Sequence, residues 1–374
     1  MKERDLFVFA GQSNMMGAAV LPPKLPIEAT DSYEYKHKAK RLGAACGEFI
    51  LAGYPCGEFS YTDDALEVAY LPENVDGNGN STVNKYSAGT YFCPAMCNLK
   101  NAETHEQQPF DNFSEADFIS GPSLAPLFAA EWEKRGQLSA YAHIAKGATP
   151  INHYFNGDMI EEYNRRVDEH NKINPSDTLP PIDKILKIWS GASAYFDRKV
   201  KDFFKEAEER FAGDDMSNKI FVWCQGEGNS NIPKKAYKMR MEILWKHIKT
   251  LGFTHLFCIR VGNWPVTGDI CRVMAAQEEF CNENDNCYMI TRAMSFMPNP
   301  GVDKDGWFTE EPGEEYQNCR DSCFGFSNQH INEKGFALIA KRMADNTFKV
   351  LREGKEPDLE KEIVSKMINM ESIK

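Results

Sequence analysis

The sequence has no run approaching the roughly 18 consecutive apolar residues of a membrane-spanning helix, so no span is expected in it. It has no surplus of positive charge either: Lys and Arg number 43 against 55 Asp and Glu, a net charge of −12. Non-specific binding to nucleic acid or to an anionic membrane needs basic surface, so neither partner is expected. The apolar segment near the N-terminus is too short for the core of a signal peptide and lacks a small-residue cleavage site, which points to the cytoplasm. Internal repeats and low-complexity tracts are missing. The 11 cysteines follow no framework spacing, and in a reducing compartment they read as thiols buried as small hydrophobes. Two CxxxC pairs, Cys93/Cys97 and Cys319/Cys323, could jointly hold zinc. Neither has the CxxC spacing or a nearby His at ligand spacing, so no metal is expected.

What is present is an ordinary globular composition of 374 residues, 42% apolar and 26% charged, long enough to bury a large core. Five short apolar runs, 6–10, 139–145, 220–224, 256–261 and 288–290, suit strands buried on both faces. Helical patterns separate them. They lie around 127–134 and 190–211, in a stretch where Tyr237, Met241, Leu244, Trp245 and Ile248 recur at helical spacing, and before the fifth run. A last one, over 333–351, carries Phe336, Ile339, Met343 and Phe348 on one stripe. Strands alternating with helices imply βαβ units and a parallel sheet, hence an α/β fold, a three-layer α/β/α sandwich. Residues 1–350 read as one domain and 351–374 as a C-terminal tail.

Residues 24–120, a large insertion after the first strand, show no clean period. They hold 13 of the 44 aromatic residues in 97 positions, the density of the rest of the chain, which predicts an ordered insertion over the sheet rather than a linker. Residues 296–326, with Pro298, Pro300, Gly301, Gly306, Pro312 and Gly313, read as a long surface loop.

The chemistry gathers at turns that follow the strands. Gly11-Gln12-Ser13-Asn14-Met15-Met16-Gly17 sets a serine between a buried strand and a helix start, at the strand end where open parallel sheets bind ligands. It lacks the Lys-Ser/Thr of a phosphate-binding loop, and on this turn alone the favoured reading of Ser13 is a helix cap. After the second strand comes Lys146-Gly147-Ala148-Thr149-Pro150-Ile151, and after the third Gln225-Gly226-Glu227-Gly228-Asn229. Near the C-terminus, Gln329-His330-Ile331-Asn332 precedes the final helix. Serine, backbone N–H, side-chain amide and imidazole at one sheet edge are the parts of an acyl-transfer site.

These four blocks, together with Trp223-x-Gln225-Gly226-Glu227 and the late His330-x-Asn332-x-x-Gly335, resemble the SGNH-hydrolase superfamily. More narrowly they resemble its sialate O-acetylesterase-type carbohydrate esterases, which include acetylxylan esterases. The resemblance runs from residue 6 to about 345, apart from the two irregular stretches, and Arg272-x-x-x-x-Gln277 fits it loosely. It implies a flavodoxin-like sandwich and a carbohydrate O-acetylesterase working through an acetyl-enzyme, with no cofactor and an acetylated sugar as the partner. Ser13 would be the nucleophile and His330 the general base. The oxyanion donors would be the backbone N–H groups of Ser13 and Gly147 and the amide of Gln225. Gln12, Asn14 and Asn229 would line the substrate site or fix its turns. An esterase or transacylase for another small acyl ester, or a silent sugar-binding module, are the alternatives.

One position departs from the pattern. The acid that usually stands three residues before the histidine is Ser327 here. Either the site is a Ser–His dyad, or Glu227 or a loop acid such as Asp321 supports the imidazole. Glu227 could instead hold its turn or touch substrate. Ser123, in a partial nucleophile-elbow match, lacks the second glycine. His143 reads as a core histidine inside a strand, and His153 as a surface or substrate-facing one.

Overall fold

The computed structural model describes residues 2–16, 66–69, 73–75, 81–83, 124–145, 150–183, 190–262, 268–296 and 333–359. Its central strand is β1, Arg4–Gly11, buried along its whole length. Successive side chains of a strand face opposite ways, and β1 is apolar on both sides. Leu6, Val8 and Ala10 enter the core on one face. Phe7 and Phe9 pack against the rings of Phe128 and Tyr141 on the other.

The chain continues through a short helix α1 (Ser13–Met16), a strand β2 (Leu66–Ala69) and an antiparallel pair β3 (Glu73–Val75) and β4 (Ser81–Val83). Helix α2 (Leu124–Glu133) leads to β5 (Leu138–Ala145), and α3 (Gly157–Ile173) and α4 (Ser190–Arg210) lead to β6 (Lys219–Cys224). Then follow α5 (Lys234–Thr250), β7 (His255–Ile259), α6 (Gly268–Glu283), β8 (Cys287–Thr291), a short α7 (Ala293–Phe296) and α8 (Glu333–Phe348). Six strands form one sheet in the order β2-β5-β1-β6-β7-β8, every pair parallel.

Two helical layers cover this sheet. Tyr163 of α3, Phe203 of α4, Leu244 of α5 and Phe280 of α6 share one core with Leu6, Phe221, Trp223 and Leu256. On the opposite face Trp132 of α2 meets Phe7 of β1 and Phe348 of α8, with ring centroids 5.9 and 6.3 Å away. The chain is therefore a three-layer α/β/α sandwich on a parallel sheet, as expected. The five expected strands stand within two residues of their places.

The short β3, β4 and α7 were not expected, nor were two elements that shape the sheet and its cover. Leu66–Ala69, inside the insertion read as lying over the sheet, is instead its edge strand, paired with β5 from Ala140 to His143. Helix α3 was missed altogether. Asn156 caps it, its side-chain oxygen accepting the Met159 N–H at 3.0 Å.

The amino end of the sheet carries charge. Arg4 donates to Asp214 at 2.8 Å and to the Ser139 carbonyl at 3.1 Å. Asp5, fully buried, accepts from Asn218 at 3.0 Å and from Arg352 at 2.5 Å. Buried charges survive in a strand when paired in this way. The start of the expected tail is thus packed against the sheet through Arg352. Among the described residues, no helix is long and apolar enough to cross a membrane. Cys224, Cys258, Cys281 and Cys287 are buried thiols outside any disulfide, and Cys271 is buried as well. Cys93, Cys97, Cys319, Cys323 and Ser123 lie outside the described residues.

Candidate active site

The site is built where β1, β5 and β6 end. Helix α2, before β5, packs on one face of the sheet, and α3, α4 and α5, around β6, pack on the other. The crossovers therefore change face around β1, the place where an open α/β sheet leaves a crevice. β1 ends at Gly11, whose φ of 153° and close approach to β6 suit no other residue: a Cβ there would meet the Cys224 carbonyl oxygen at 1.9 Å. That approach lets the Gln12 N–H reach the same carbonyl at 3.1 Å. Tyr154, in the turn Ile151–Tyr154 beyond β5, grips Gly11 from the other side. Its hydroxyl donates to the Gly11 carbonyl at 2.7 Å and accepts the Gly11 N–H at 3.1 Å. Burial pushes the Tyr154 phenol up, so it keeps its proton.

Three amide side chains tie the turns together, and their orientation follows from backbone donors. The Gly228 N–H donates to Gln12 Oε1 at 3.0 Å, and the Ile151 N–H donates to Asn229 Oδ1 at 2.8 Å. A backbone N–H can only donate, so both partners must be oxygens. Gln225 Nε2 reaches the same two oxygens, Gln12 Oε1 at 3.1 Å and Asn229 Oδ1 at 2.7 Å. The Tyr237 hydroxyl lies 2.5 Å from the Gln225 carbonyl oxygen and 2.9 Å from its Oε1. Gln277 Nε2 donates to that carbonyl at 2.9 Å while its Oε1 accepts the Val261 N–H at 3.1 Å.

Gln225 is the side chain expected to serve as an oxyanion donor. The side chain is fully buried and both of its amide protons are engaged, so in this arrangement it has none to offer a substrate. Asn229 is different. Its oxygen takes two bonds, and among the described residues nothing accepts from its Nδ2. No feature of the sequence could reveal these contacts, because the acceptor Gln12 is 213 residues from Gln225.

Ser13 opens α1 between two anchored neighbours and is partly exposed. On one side Gln12 holds Gly228, and on the other Asn14 Nδ2 donates to Glu227 Oε1 at 2.8 Å. Glu227 Oε2 is enclosed and has no hydrogen-bond partner among the described residues. Burial pushes the Glu227 carboxyl up, against the opposing bonds from its own and Gly226 backbone groups and from Asn14. Glu227 thus holds the serine turn through Asn14. His153 is buried rather than on the surface. His143 sits in β5, paired in register with Phe9. Arg272 pairs with Asp269 at 2.9 Å on α6, whereas Gln277 supports Gln225 directly. Gly147, His330, Ser327 and Asp321 lie outside the described residues. Among the described residues no cluster of three metal-ligating side chains forms.

Fold and site define a class: an open parallel α/β/α sandwich whose polar turns converge at the carboxyl ends of its central strands. No family model and no curated protein matches the sequence. Solved structures give distant likenesses. A protein from Arabidopsis thaliana is 13% identical with a TM-score of 0.41, over 92% of this chain and 97% of that one. A carbohydrate acetylesterase from Xanthomonas citri is 10% identical with a TM-score of 0.41, over 94% of this chain and 57% of the other. NanS is 10% identical with a TM-score of 0.45, over 94% and 98%. At such distances these proteins carry no argument about activity, and the architecture rests on the strand order of this chain.

Proposed function

We propose that the protein is an SGNH-type serine esterase that removes acetyl groups from acetylated sugars or short oligosaccharides. The observation that carries this reading is the convergence of the three turns. They bring a partly exposed serine, held between anchored neighbours, to the edge where Asn229 has an amide donor that nothing accepts among the described residues. The sugar, as opposed to another small acyl ester, is supported only by the motif resemblance.

In this reading Ser13 Oγ attacks the ester carbonyl and His330 accepts the hydroxyl proton. The tetrahedral oxyanion receives the backbone N–H groups of Ser13 and Gly147, with the Asn229 amide in the place first assigned to Gln225. Each such donor is worth roughly 3 kcal/mol in the transition state. Collapse expels the sugar alkoxide, which takes the proton back from His330. Water, deprotonated by the same imidazole, then releases acetate and restores the serine. Glu227 acts through Asn14 on the serine turn.

The test is nitrophenyl acetate hydrolysis by wild type, Ser13→Ala and His330→Ala. Both variants should lose about 10⁴-fold or more in kcat, and Ser13→Ala should melt within about 1 °C of wild type, since an exposed polar truncation costs little. Hydrolysis that survives Ser13→Ala undiminished ends the assignment. Sugar binding without Ser13-dependent hydrolysis would make the protein a binding module.

A further inference from the structure

We infer that Tyr154 is a positioning residue, a clamp on Gly11 that fixes the peptide plane ahead of Ser13; its catalytic consequence rests on the esterase reading. The Tyr154 hydroxyl donates to the Gly11 carbonyl at 2.7 Å and accepts the Gly11 N–H at 3.1 Å. Neither role is open to exchange, because a backbone N–H can only donate and a carbonyl can only accept. The ring is itself wedged between Phe196 of α4 and Trp223 of β6, with centroids 5.5 and 5.0 Å away. The clamp therefore stands on the core.

The need for a clamp follows from Gly11 itself. Its approach to β6 demands a residue without a Cβ, and such a residue barely restrains its own dihedrals. β5 gives out at the same point, since its last residue, Ala145, is the one registered with Gly11. Along a strand, backbone groups face one neighbour and then the other. The Gln12 N–H turns to β6, where it meets the Cys224 carbonyl at 3.1 Å, so the Gly11 groups turn to the β5 side, where Tyr154 receives them. The Gly11–Gln12 peptide is a rigid plane, and it is held at both ends, its oxygen by Tyr154 and its N–H by Cys224. The next peptide carries the Ser13 N–H, an oxyanion donor in the proposed mechanism. Such a donor contributes only if it is already aimed where charge develops, and a misplacement of about 1 Å can cost about 10²-fold in rate. Without the Tyr154 hydroxyl, the plane keeps its Cys224 bond and pivots about it.

The experiment compares Tyr154→Phe with Val167→Ala in the full chain. The second variant loosens the core about 15 Å along α3 from its first residue, Gly157. Tyr154→Phe should lower kcat for nitrophenyl acetate about 10-fold with KM within about twofold. Val167→Ala should lower Tm and leave kcat within about twofold of wild type. Backbone hydrogen exchange adds a readout independent of activity. Relative to wild type, Tyr154→Phe should speed exchange at Gly11 and Gln12 more than at Val8 of the same strand, whereas Val167→Ala should speed all three alike. In wild type the Tyr154 hydroxyl proton should appear by NMR as a slowly exchanging signal. Intact kcat in Tyr154→Phe, a loss carried by KM alone, or exchange that speeds equally at Val8 and Gly11 overturns the inference. So does a Tyr154 hydroxyl proton that exchanges as fast as one on an exposed tyrosine, a result that holds even if Tyr154→Phe fails to fold. Absence of Ser13-dependent hydrolysis in wild type refutes the esterase reading instead, and exchange alone then decides whether Tyr154 clamps the turn.

Discussion

Replacing Gly11 by alanine places a methyl carbon 1.9 Å from the Cys224 carbonyl oxygen, at a backbone φ of 153°. The obstacle is backbone, and that carbonyl already accepts the Gln12 N–H at 3.1 Å, so it cannot simply turn aside. Unfavourable φ costs an L-residue about 1–2 kcal/mol, and an extra methyl in a packed interior about 1–3 kcal/mol. The stiffer unfolded chain returns about 0.4–1 kcal/mol. The net loss is about 2–4 kcal/mol, and at about 2 °C per kcal/mol for a large domain Tm should fall by about 4–8 °C. Gly136→Ala is the control. Its φ is 68° and nothing lies within 4 Å of the added carbon, so only the backbone cost applies, about 1 kcal/mol. Thermal and urea melts of both variants measure the difference. Widening the gap between β1 and β6 also displaces the turn that carries Ser13, so hydrolysis by folded Gly11→Ala should fall as well. A Gly11→Ala protein that melts like Gly136→Ala would refute the reasoning.

Two further outcomes follow from buried charge. Burial raises the Glu227 pKa from 4.5, so the folded state favours the protonated carboxyl. The stability this group contributes is present at low pH and is lost as pH climbs through its folded pKa. Glu227→Gln should therefore raise Tm by a margin that grows from pH 4.5 upward while hydrolysis falls. A margin flat with pH would count against the assignment of the shift to burial. Arg352→Ala strands the fully buried Asp5, whose carboxyl is pushed up by burial against the opposing pull of Arg352. Unfolding free energy should drop by about 3–5 kcal/mol at pH 7, and by less at pH 4, where Asp5 can take a proton instead. Urea melts at the two pH values check it, and a pH-independent loss would assign the effect to packing of Arg352 over Trp132.

The sheet was legible because each central strand is apolar on both faces. Phe7, Phe9, Phe221 and Phe257 leave no alternation that could be taken for an exposed strand. Helix α3 was not. It buries only Met159, Tyr163, Val167 and His170 among charged neighbours such as Glu162, Arg165 and Arg166, too thin a stripe to stand out. β2 is four residues long, and its Leu-Glu-Val-Ala becomes a strand only because β5 offers an edge. At the site, the turns after β1 and β6 could be read as polar and as following central strands. The commitment of each amide could not. Whether Gln225 donates to a ligand or to its neighbours depends on Gln12 and Tyr237, which reach it from another strand and a helix face.

The pairing of Leu66–Ala69 with β5 has a consequence for how this chain can be shortened. Without it, β5 would present the outer edge of the sheet, eight residues of Leu-Ser-Ala-Tyr-Ala-His-Ile-Ala with one row of N–H and C=O groups unanswered. Such an edge, long and nearly uncharged, is a template for a strand from another molecule. A truncation that removes 24–120 outright should therefore yield protein that self-associates, and one that spares 66–69 should stay monodisperse to the extent the parent does. Residues 66–69 guard the sheet against its own copies.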